Sequence, residues 1–577
     1  MDLNEINKFL EIDESNAKLL LSSILDDIHI SNKIKVSDNI YNDTKIDDWA
    51  TSKTITRGGA IVIDKIIKNP INDPILLKKR QEVNYEIFNY QLQTLKDNEK
   101  EILWIMTLKK EIEEDMSINL LFPSTYLINK LNNYRIFLDT YHLYKTVFMP
   151  ISCLFYPVSI ILAPYYYLSK YLGTNITFYK YMEILFQLLK ILLKPSGNYK
   201  QDLTKIISVF IYIGIYIYSI YQTFVISYIV YKTREKLLAK IKGLVDFIKT
   251  AINLVKRSKD IWKPYFIYNH QVNDYNIYDS IRVLDELKYD ITTIYKLWKN
   301  EDFKKSIITL LKVVYTLDVI SVISKLKKNK EWTLPEFINN NKEKQQTKIW
   351  GMKNPLLDNN QISNPVDLKK SLIITGVNAG GKTTYVKAIA SNIILAQTFG
   401  VIYATRGSVL LYDAIISFMR ITDEVGINSY FEAETDCCSK MIDVAEDLNK
   451  NNKKGLFLLD EPMHSTPPIE GMSVAYAIAL YLGKMKGMRM IITTHFHKLI
   501  ELEDSENLDE SKFMNLSVIA HKENTNKYKF DYKICRGGSK QTIAIELLKK
   551  HKLNDEIINS AIEIKNKLCN EVLRNDL

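Results

Sequence analysis

At 577 residues, 46 % of them hydrophobic and 25 % charged, the chain is long enough for roughly two to four domains with sizeable cores. Five cysteines, Cys153, Cys437, Cys438, Cys535 and Cys569, form neither a C-x-x-C pair nor an even disulfide framework, so no zinc site is suggested and a reducing, intracellular compartment is expected. The net charge of +10 is modest for this length, and the opening Met1-Asp2-Leu3-Asn4-Glu5 has neither the basic start nor the apolar core of a signal peptide.

In chain order, residues 1–345 read as predominantly α-helical, beginning with Phe9, Leu10, Leu19 and Leu20 on one helical face. Two segments then stand out. Residues 146–169 run for 24 positions without a charge and residues 206–231 for 26, and a span of ~20 apolar residues crosses a bilayer core. The second is rich in Ile and Val, with tyrosines at 212, 216, 218, 221, 228 and 231, some near its ends as in an interfacial belt. In the first, Pro150, Pro157 and Pro164 each remove a helical hydrogen bond, which predicts a kinked or re-entrant course. Between them, residues 170–205 carry six lysines against Glu183 and Asp202, a bias that favours a shallow hairpin, with an amphipathic helix at 178–193, over two full spans. Two readings stay open here, a membrane hairpin and a soluble buried or oligomerising pair.

Residues 232–263 follow at once with ten Lys/Arg against three acids, a stretch suited to phosphates of nucleic acid or lipid, or to a solvated helix face. Long helices are predicted at 279–298 and 303–326, and the polar run 339–347 reads as a linker. Beyond it, an α/β pattern begins with strands ending at Thr375, Asp460 and Thr494.

The chemistry concentrates there. Gly376-Val377-Asn378-Ala379-Gly380-Gly381-Lys382-Thr383 fits G-x-x-x-x-G-K-[ST], follows the apolar strand Leu372-Ile373-Ile374 and opens a helix predicted over 385–395. Such glycines let backbone N–H groups wrap phosphates at a helix N-terminus, Lys382 reaches the β/γ oxygens, and the Thr383 hydroxyl holds Mg²⁺. Leu456-Phe457-Leu458-Leu459-Asp460-Glu461 is a strand ending in two carboxylates, Asp460 for the Mg²⁺ shell and Glu461 as general base. Met490-Ile491-Ile492-Thr493-Thr494-His495 ends another strand in a histidine placed as a γ-phosphate sensor.

These motifs resemble the MutS family of DNA mismatch repair ATPases. Its form of the phosphate loop is similar to 376–384, including Asn378, the pair Gly380-Gly381, and Thr384. Asp460-Glu461 through Glu470-Gly471 resembles the family's DE…GT…DG stretch, with Ser465-Thr466 for Gly-Thr. Thr494-His495-Phe496-His497-Lys498-Leu499 is similar to its T-H-[YF]-x-E-L, and Ser429-Tyr430-Phe431-Glu432-Ala433-Glu434 to its S-T-F-x-x-E. The Ser-Gly-Gly signature of ABC transport ATPases does not occur between the two nucleotide motifs. Residues 537–561 resemble the helical segment through which these domains pair, while Asp48, Arg57-Gly58-Gly59, Pro70-Ile71-Asn72-Asp73 and Arg80-Gln81, with Leu317-Asp318-Val319, resemble two ends of the family's lever region.

The resemblance implies a helical lever-like half, 1–345, and a P-loop (ABC-type) α/β ATPase domain, 346–577, together an α plus α/β fold. It implies ATP and Mg²⁺ as cofactors, a homodimer in which Ser429 reaches the opposite subunit's nucleotide, and DNA as a partner. The lever-like sequence starts within the first ~50 residues, so no separate mismatch-binding or connector domain is expected ahead of it, and Phe9-Leu10-Glu11, which spells the mismatch wedge, is expected to face a core. Gln361 stands where the family offers a ring to adenine. The alternative function is a membrane-anchored switch that uses the same dimeric engine on a membrane or protein partner.

Overall fold

The computed structural model describes residues 10–11, 14–26, 33–83, 89–108, 120–123, 128–192, 194–195, 199–265, 276–338, 346–358, 360–377, 380–419, 430–505, 512–524, 527–539, 541, 545 and 554–575. The principal elements, in chain order, are β1 (Lys35–Val36), α1 (Arg57–Ile67), α2 (Pro74–Glu82), α3 (Met149–Lys170), α4 (Phe178–Leu192), α5 (Tyr199–Ser258), α6 (Glu301–Lys328), β2 (Glu336–Ile338), β3 (Lys348–Met352), β4 (Asn364–Asp367), β5 (Ser371–Gly376), α7 (Lys382–Phe399), β6 (Arg406–Leu410), β7 (Ala414–Phe418), α8 (Tyr430–Lys450), β8 (Gly455–Asp460), α9 (Pro468–Lys484), β9 (Met488–Thr493), β10 (Phe513–Asn524), β11 (Lys527–Arg536) and α10 (Asp555–Asn575). The fold is mixed, α plus α/β, and divides into two units: Met1–Leu21 with Thr94–Asn253 and Tyr275–Leu310, and Ser22–Gln93 with Leu254–Asp274 and Leu311–Leu577.

In the second unit, apolar runs dictate a parallel sheet. Leu372, Ile373, Ile374, Leu456, Phe457, Leu458, Met490 and Ile491 are all fully buried, as strands covered on both faces must be. Among the described residues the sheet runs β1-β7-β8-β9-β5-β10-β11, parallel throughout except that β11 returns antiparallel on β10. A smaller sheet, β2-β6-β3-β4, belongs to the same unit. The helix expected at 385–395 extends over Lys382–Phe399, buried along most of its length, and stops where Gly400 turns left-handed at φ 72° and bonds back to Leu395. Glycine tolerates that conformation without a Cβ penalty.

The N-terminal segments of this unit fasten to it through buried polar groups. Asp318 on α6 is fully buried and accepts hydrogen bonds from the backbone N–H of Ile55 (3.1 Å) and Thr56 (2.8 Å) and from Thr56 Oγ1 (2.7 Å). Thr56 in turn caps α1 by accepting from Gly59 N–H at 3.0 Å. A Cβ on Gly58 would fall 2.2 Å from the Tyr315 ring, and one on Gly59 2.3 Å from the Asp318 carboxylate, so only glycine allows α1 to lie this close to α6. Burial raises the Asp318 pKa against the opposing pull of the Thr56 and Ile55 hydrogen bonds. Arg80, also buried, donates to the carbonyls of Pro264 and Thr398 and lies 5.0 Å over the Tyr265 ring. Burial lowers its pKa to about 10, which leaves it charged at neutral pH.

Several expectations change. The single helix predicted at 279–298 is two, Ile277–Leu284 and Thr292–Lys299, because the Asp290 carboxylate accepts from Thr292 N–H at 3.0 Å and starts a new helix. The run 339–347 is not polar linker to its end, since Thr347 is buried and its hydroxyl accepts from Leu410 N–H at 3.0 Å. On the helix Glu14–Asp26 the buried face is Ala17, Leu21, Ile24 and Leu25, whereas Leu19 is 68 % exposed. Phe9 lies outside the described residues. The prolines of 146–169 do not break the helical run Arg135–Lys170, although a π-helical turn at Tyr144–Phe148 stands just ahead of Pro150.

In the first unit α3 and α5 pack side by side in opposite directions, with Ser227 donating to the Thr146 carbonyl at 2.7 Å and Tyr216 to the Cys153 carbonyl at 3.1 Å. The helix expected at 178–193 is α4, which rests on α3 through Tyr181.

Replacing Asp318 with alanine strands the N–H groups of Ile55 and Thr56 in a buried site and removes the acceptor of the Thr56 hydroxyl. Unfolding the Asp318→Ala chain in urea should show a loss of about 2–4 kcal/mol, while Asp318→Asn, which keeps an acceptor, should lose less.

Candidate functional site

Strand β5 delivers the chain to a point where only glycine fits. Gly376 has φ 129°, and a Cβ there would lie 2.3 Å from the Val518 carbonyl of β10. A Cβ on Gly380 would come within 3.0 Å of the Val377 carbonyl, and Gly381, left-handed at φ 96°, begins α7. Tyr385 N–H makes the first intrahelical bond, to Gly381 O at 2.9 Å. Helix geometry leaves the N–H groups of Lys382, Thr383 and Thr384 without intrahelical acceptors, directed at the loop. Asn378 lies outside the described residues.

The side chains expected to act together converge here from the ends of β5, β8 and β9. Lys382 is buried and donates to Gly376 O at 2.9 Å, with Glu461 Oε1 at 3.7 Å. Burial lowers its pKa, while Glu461 and Asp460 oppose that shift. Thr383 Oγ1 donates to Asp460 Oδ2 at 2.8 Å, and Thr493 Oγ1 donates to the other oxygen of the same carboxylate.

Glu461 follows Asp460 with φ 51°, a left-handed backbone that costs a non-glycine residue roughly 1–2 kcal/mol. The turn is held by Glu461 N–H donating to Thr493 O at 3.0 Å, and it brings the carboxylate to His495, whose Nε2 lies 2.7 Å from Oε1. That hydrogen bond is the main reason the Glu461 pKa is held below the usual carboxylate range, with Lys382 and His464 adding to it and burial opposing. Lys382 Nζ is 3.3 Å from the same His495 nitrogen. With the Nε2 proton committed to Glu461, these two nitrogens are both donors and the shorter carboxylate contact governs.

Next to these groups is a cavity of about 520 Å³, walled by Leu357, Ile362, Val377, Ala388 and Tyr532 and ending at Lys382 and Glu461. Gln361 lies on its rim but turns inward to its own loop, accepting from Asn354 N–H at 2.6 Å and donating to Asn354 O at 2.9 Å. Tyr532 is half exposed, and its ring edge is 3.4 Å from where a Gly381 Cβ would stand.

Ser429 lies outside the described residues. At the other end of its motif Glu434 is buried, and its carboxylate accepts from both Oγ and N–H of Ser465, which ties the start of α8 to the loop after β8. Sequence reasoning singled out neither Thr493 nor Glu434 as a site residue, though both sit inside motifs it quoted. Tyr532 had no local signal: only the β10–β11 hairpin, folded back beside β5, brings it to the cavity.

Residues 372–569 match the family model described as MutS domain V. The DNA mismatch repair protein MutS of Clostridium perfringens is 30 % identical over 282 residues, 47 % of this chain and 29 % of that protein. The MutS of Prochlorococcus marinus is 29 % identical over 275 residues, 46 % and 29 % of the two chains, and that of Clostridium botulinum 32 % over 204 residues, 34 % and 21 %. The match therefore spans at most 29 % of the length of these relatives.

Removing the imidazole removes the principal cause of the Glu461 shift. In His495→Ala the Glu461 carboxyl should titrate at higher pH than in the wild type, read by carbon-detected NMR of labelled glutamate. An unchanged titration would mean that Lys382 and His464 hold it down without the imidazole of His495.

Proposed function

The chain belongs to the MutS family through residues 372–569, and on that premise we propose that its second unit is a Mg²⁺-dependent P-loop ATPase working as a homodimer on DNA. The observation that supports this best is the convergence of Lys382, the Thr383–Asp460 pair and the Glu461–His495 pair at one end of a cavity of nucleotide size.

The residues fit Mg²⁺ and a triphosphate on physical grounds. Thr383 Oγ1 and Asp460 Oδ2, 2.8 Å apart, are hard oxygen donors of the kind that cation takes, and the glycine turn at 376–381 has no room for a Cβ at Gly376. Bound there, Mg²⁺ would offset charge on the β and γ oxygens. Lys382 exchanges its Gly376 carbonyl for phosphate oxygen, and the first-turn N–H groups of α7, through Thr384, cradle the rest. Glu461, ionised at neutral pH, orients the attacking water and accepts its proton. His495 holds that carboxylate in place and, at the tip of β9, responds to the γ-phosphate. Tyr532 supplies the ring face for the base that Gln361, folded on its own loop, does not.

The dimer reading rests on two features. The exposed Ile557 and Ile564, seven residues apart on α10, form an apolar stripe suited to a second copy, and Ser429 belongs to the motif that resembles the family's trans contact. DNA as partner is supported by what the relatives are named for and by the net charge of +10. Four described cysteines are free thiols, in keeping with a reducing, intracellular location.

Lys382→Ala should lose ATP binding in a fluorescent-nucleotide titration while keeping its circular dichroism; normal affinity would remove the phosphate-loop assignment. Glu461→Ala should bind ATP and hydrolyse it at least ~10²-fold more slowly in single turnover, and duplex DNA should accelerate the wild type. Mixing Ser429→Ala with Lys382→Ala subunits should restore part of the activity, because one composite site then holds both defects and the other neither. Heterodimers that form yet show no rescue would rule out the trans role.

A further inference from the structure

We propose that the α3–α4–α5 hairpin of the first unit is a lipid-facing membrane element, with α3 and α5 crossing the hydrocarbon and α4 lying in the distal headgroup layer. The inference is independent of the nucleotide site. Among the described residues three helices are long and apolar enough to span a bilayer, and they divide sharply by burial. The most apolar window of Glu301–Lys328 is 83 % buried, whereas those of Arg135–Lys170 and Tyr199–Ser258 are 6 % and 0 % buried. Similar composition thus serves one core helix and two helices whose apolar faces are open, including Phe155, Ile160, Phe210, Ile211, Ile215 and Ile217.

The hairpin is also organised inside out. Its seam is polar: Tyr216, Ser219, Thr223 and Ser227 of α5 face Cys153 and Thr146. One of these contacts answers a specific need. Pro157 has no N–H, so the carbonyl four residues earlier, Cys153, loses its α-helical donor, while Thr146 lies in the π-helical turn Tyr144–Phe148. Ser227 donates to Thr146 O at 2.7 Å and Tyr216 to Cys153 O at 3.1 Å, and Tyr181 of α4 donates to Ile161 O, next to the carbonyl that Pro164 leaves open, at 2.9 Å. In water such carbonyls would be hydrated without help. Neighbouring hydroxyls are required where water is absent, as in hydrocarbon.

Length and charge match a bilayer. The register that pairs Thr146 with Ser227 sets Lys145 within about 6 Å of the level of Lys232, and Lys170 within about 3 Å of that of Lys205, so cations bracket the apolar band at both ends. The separations, 145 to 170 and 205 to 232, correspond to roughly 38–40 Å of helix, close to the ~40–45 Å between headgroup layers. Helix α4 places Lys180, Glu183, Gln187 and Lys190 at spacings of three and four on one face, with Phe186, Leu188 and Leu189 exposed elsewhere, the pattern of an interfacial helix. The shallow hairpin favoured by the lysine bias of 170–205 gives way to a spanning pair, because those lysines lie at headgroup level.

The test uses the full chain. Expressed protein should sediment with membranes, stay there in 1 M NaCl and in alkaline carbonate, and be released by detergent. Purified protein should float with neutral phosphatidylcholine vesicles, since ~3 Å screening at that salt removes any attraction by charge alone. Phe210→Asp with Ile217→Asp, both on open faces, should reduce flotation at least ~10-fold while leaving ATP binding intact. Tyr216→Phe with Ser227→Ala should keep flotation but lower the Tm in detergent. Release by salt would overturn the proposal in favour of surface adsorption. A soluble oligomer in plain buffer that the aspartate pair dissociates would overturn it in favour of a second copy of this chain covering the faces.

Discussion

One carboxylate holds the tips of three chain segments in the second unit together. Asp460, at the end of β8, accepts from Thr383 at the start of α7 and from Thr493 at the end of β9. Because parallel strands end side by side, each tip is free to move unless something binds it to its neighbour, and this pair of hydroxyls does so beside Lys382, Glu461 and His495. The left-handed turn at Glu461 depends on the same arrangement: with Asp460 anchored, the next residue can reach His495 only by that turn, and the bond to Thr493 O holds it there. Preorganisation of this kind lowers the reorganisation required when charge builds up in a transition state.

The same unit tolerates a buried carboxylate and a buried guanidinium away from the cavity. Asp318 and Arg80 would each be costly in an apolar interior, and each is matched to backbone groups that would otherwise lack partners themselves. Asp318 and Lys327 explain why segments 55–83 and 315–327, far apart in sequence, form one body: Asp318 accepts from Ile55 and Thr56, Lys327 donates to the carbonyls of Arg80, Gln81 and Val83, and the glycines at 58 and 59 allow the approach.

Apolar helices are treated in two opposite ways. Helix α6 is enclosed by protein and shows its polar groups as internal anchors, whereas α3 and α5 keep hydroxyls on their seam and turn Ile, Phe and Tyr outward. An apolar exterior with a hydrogen-bonded seam reverses the usual order in water, and this reversal, more than the length of either run, distinguishes a lipid-facing pair from a core.

The sequence by itself determined the glycine-rich run ahead of a helix, the two carboxylates after an apolar strand and the histidine at the end of another, since each depends on residue type at fixed local spacing. It determined the three central strands within a residue of their ends, because a strand buried on both faces must be continuously apolar. Only the tertiary structure decided that Thr493 shares Asp460 with Thr383, that Glu461 turns left-handed towards His495, that Tyr532 reaches the cavity and that Gln361 folds onto its own loop. It likewise decided that the helix expected at 279–298 breaks at Asp290, and that α6 is buried while α3 and α5 are not. The contacts at Asp460, Glu461 and Tyr532 join residues tens or hundreds of positions apart, and those at Asp290 and Gln361 are side-chain bonds within a turn or loop; hydrophobic periodicity records neither kind.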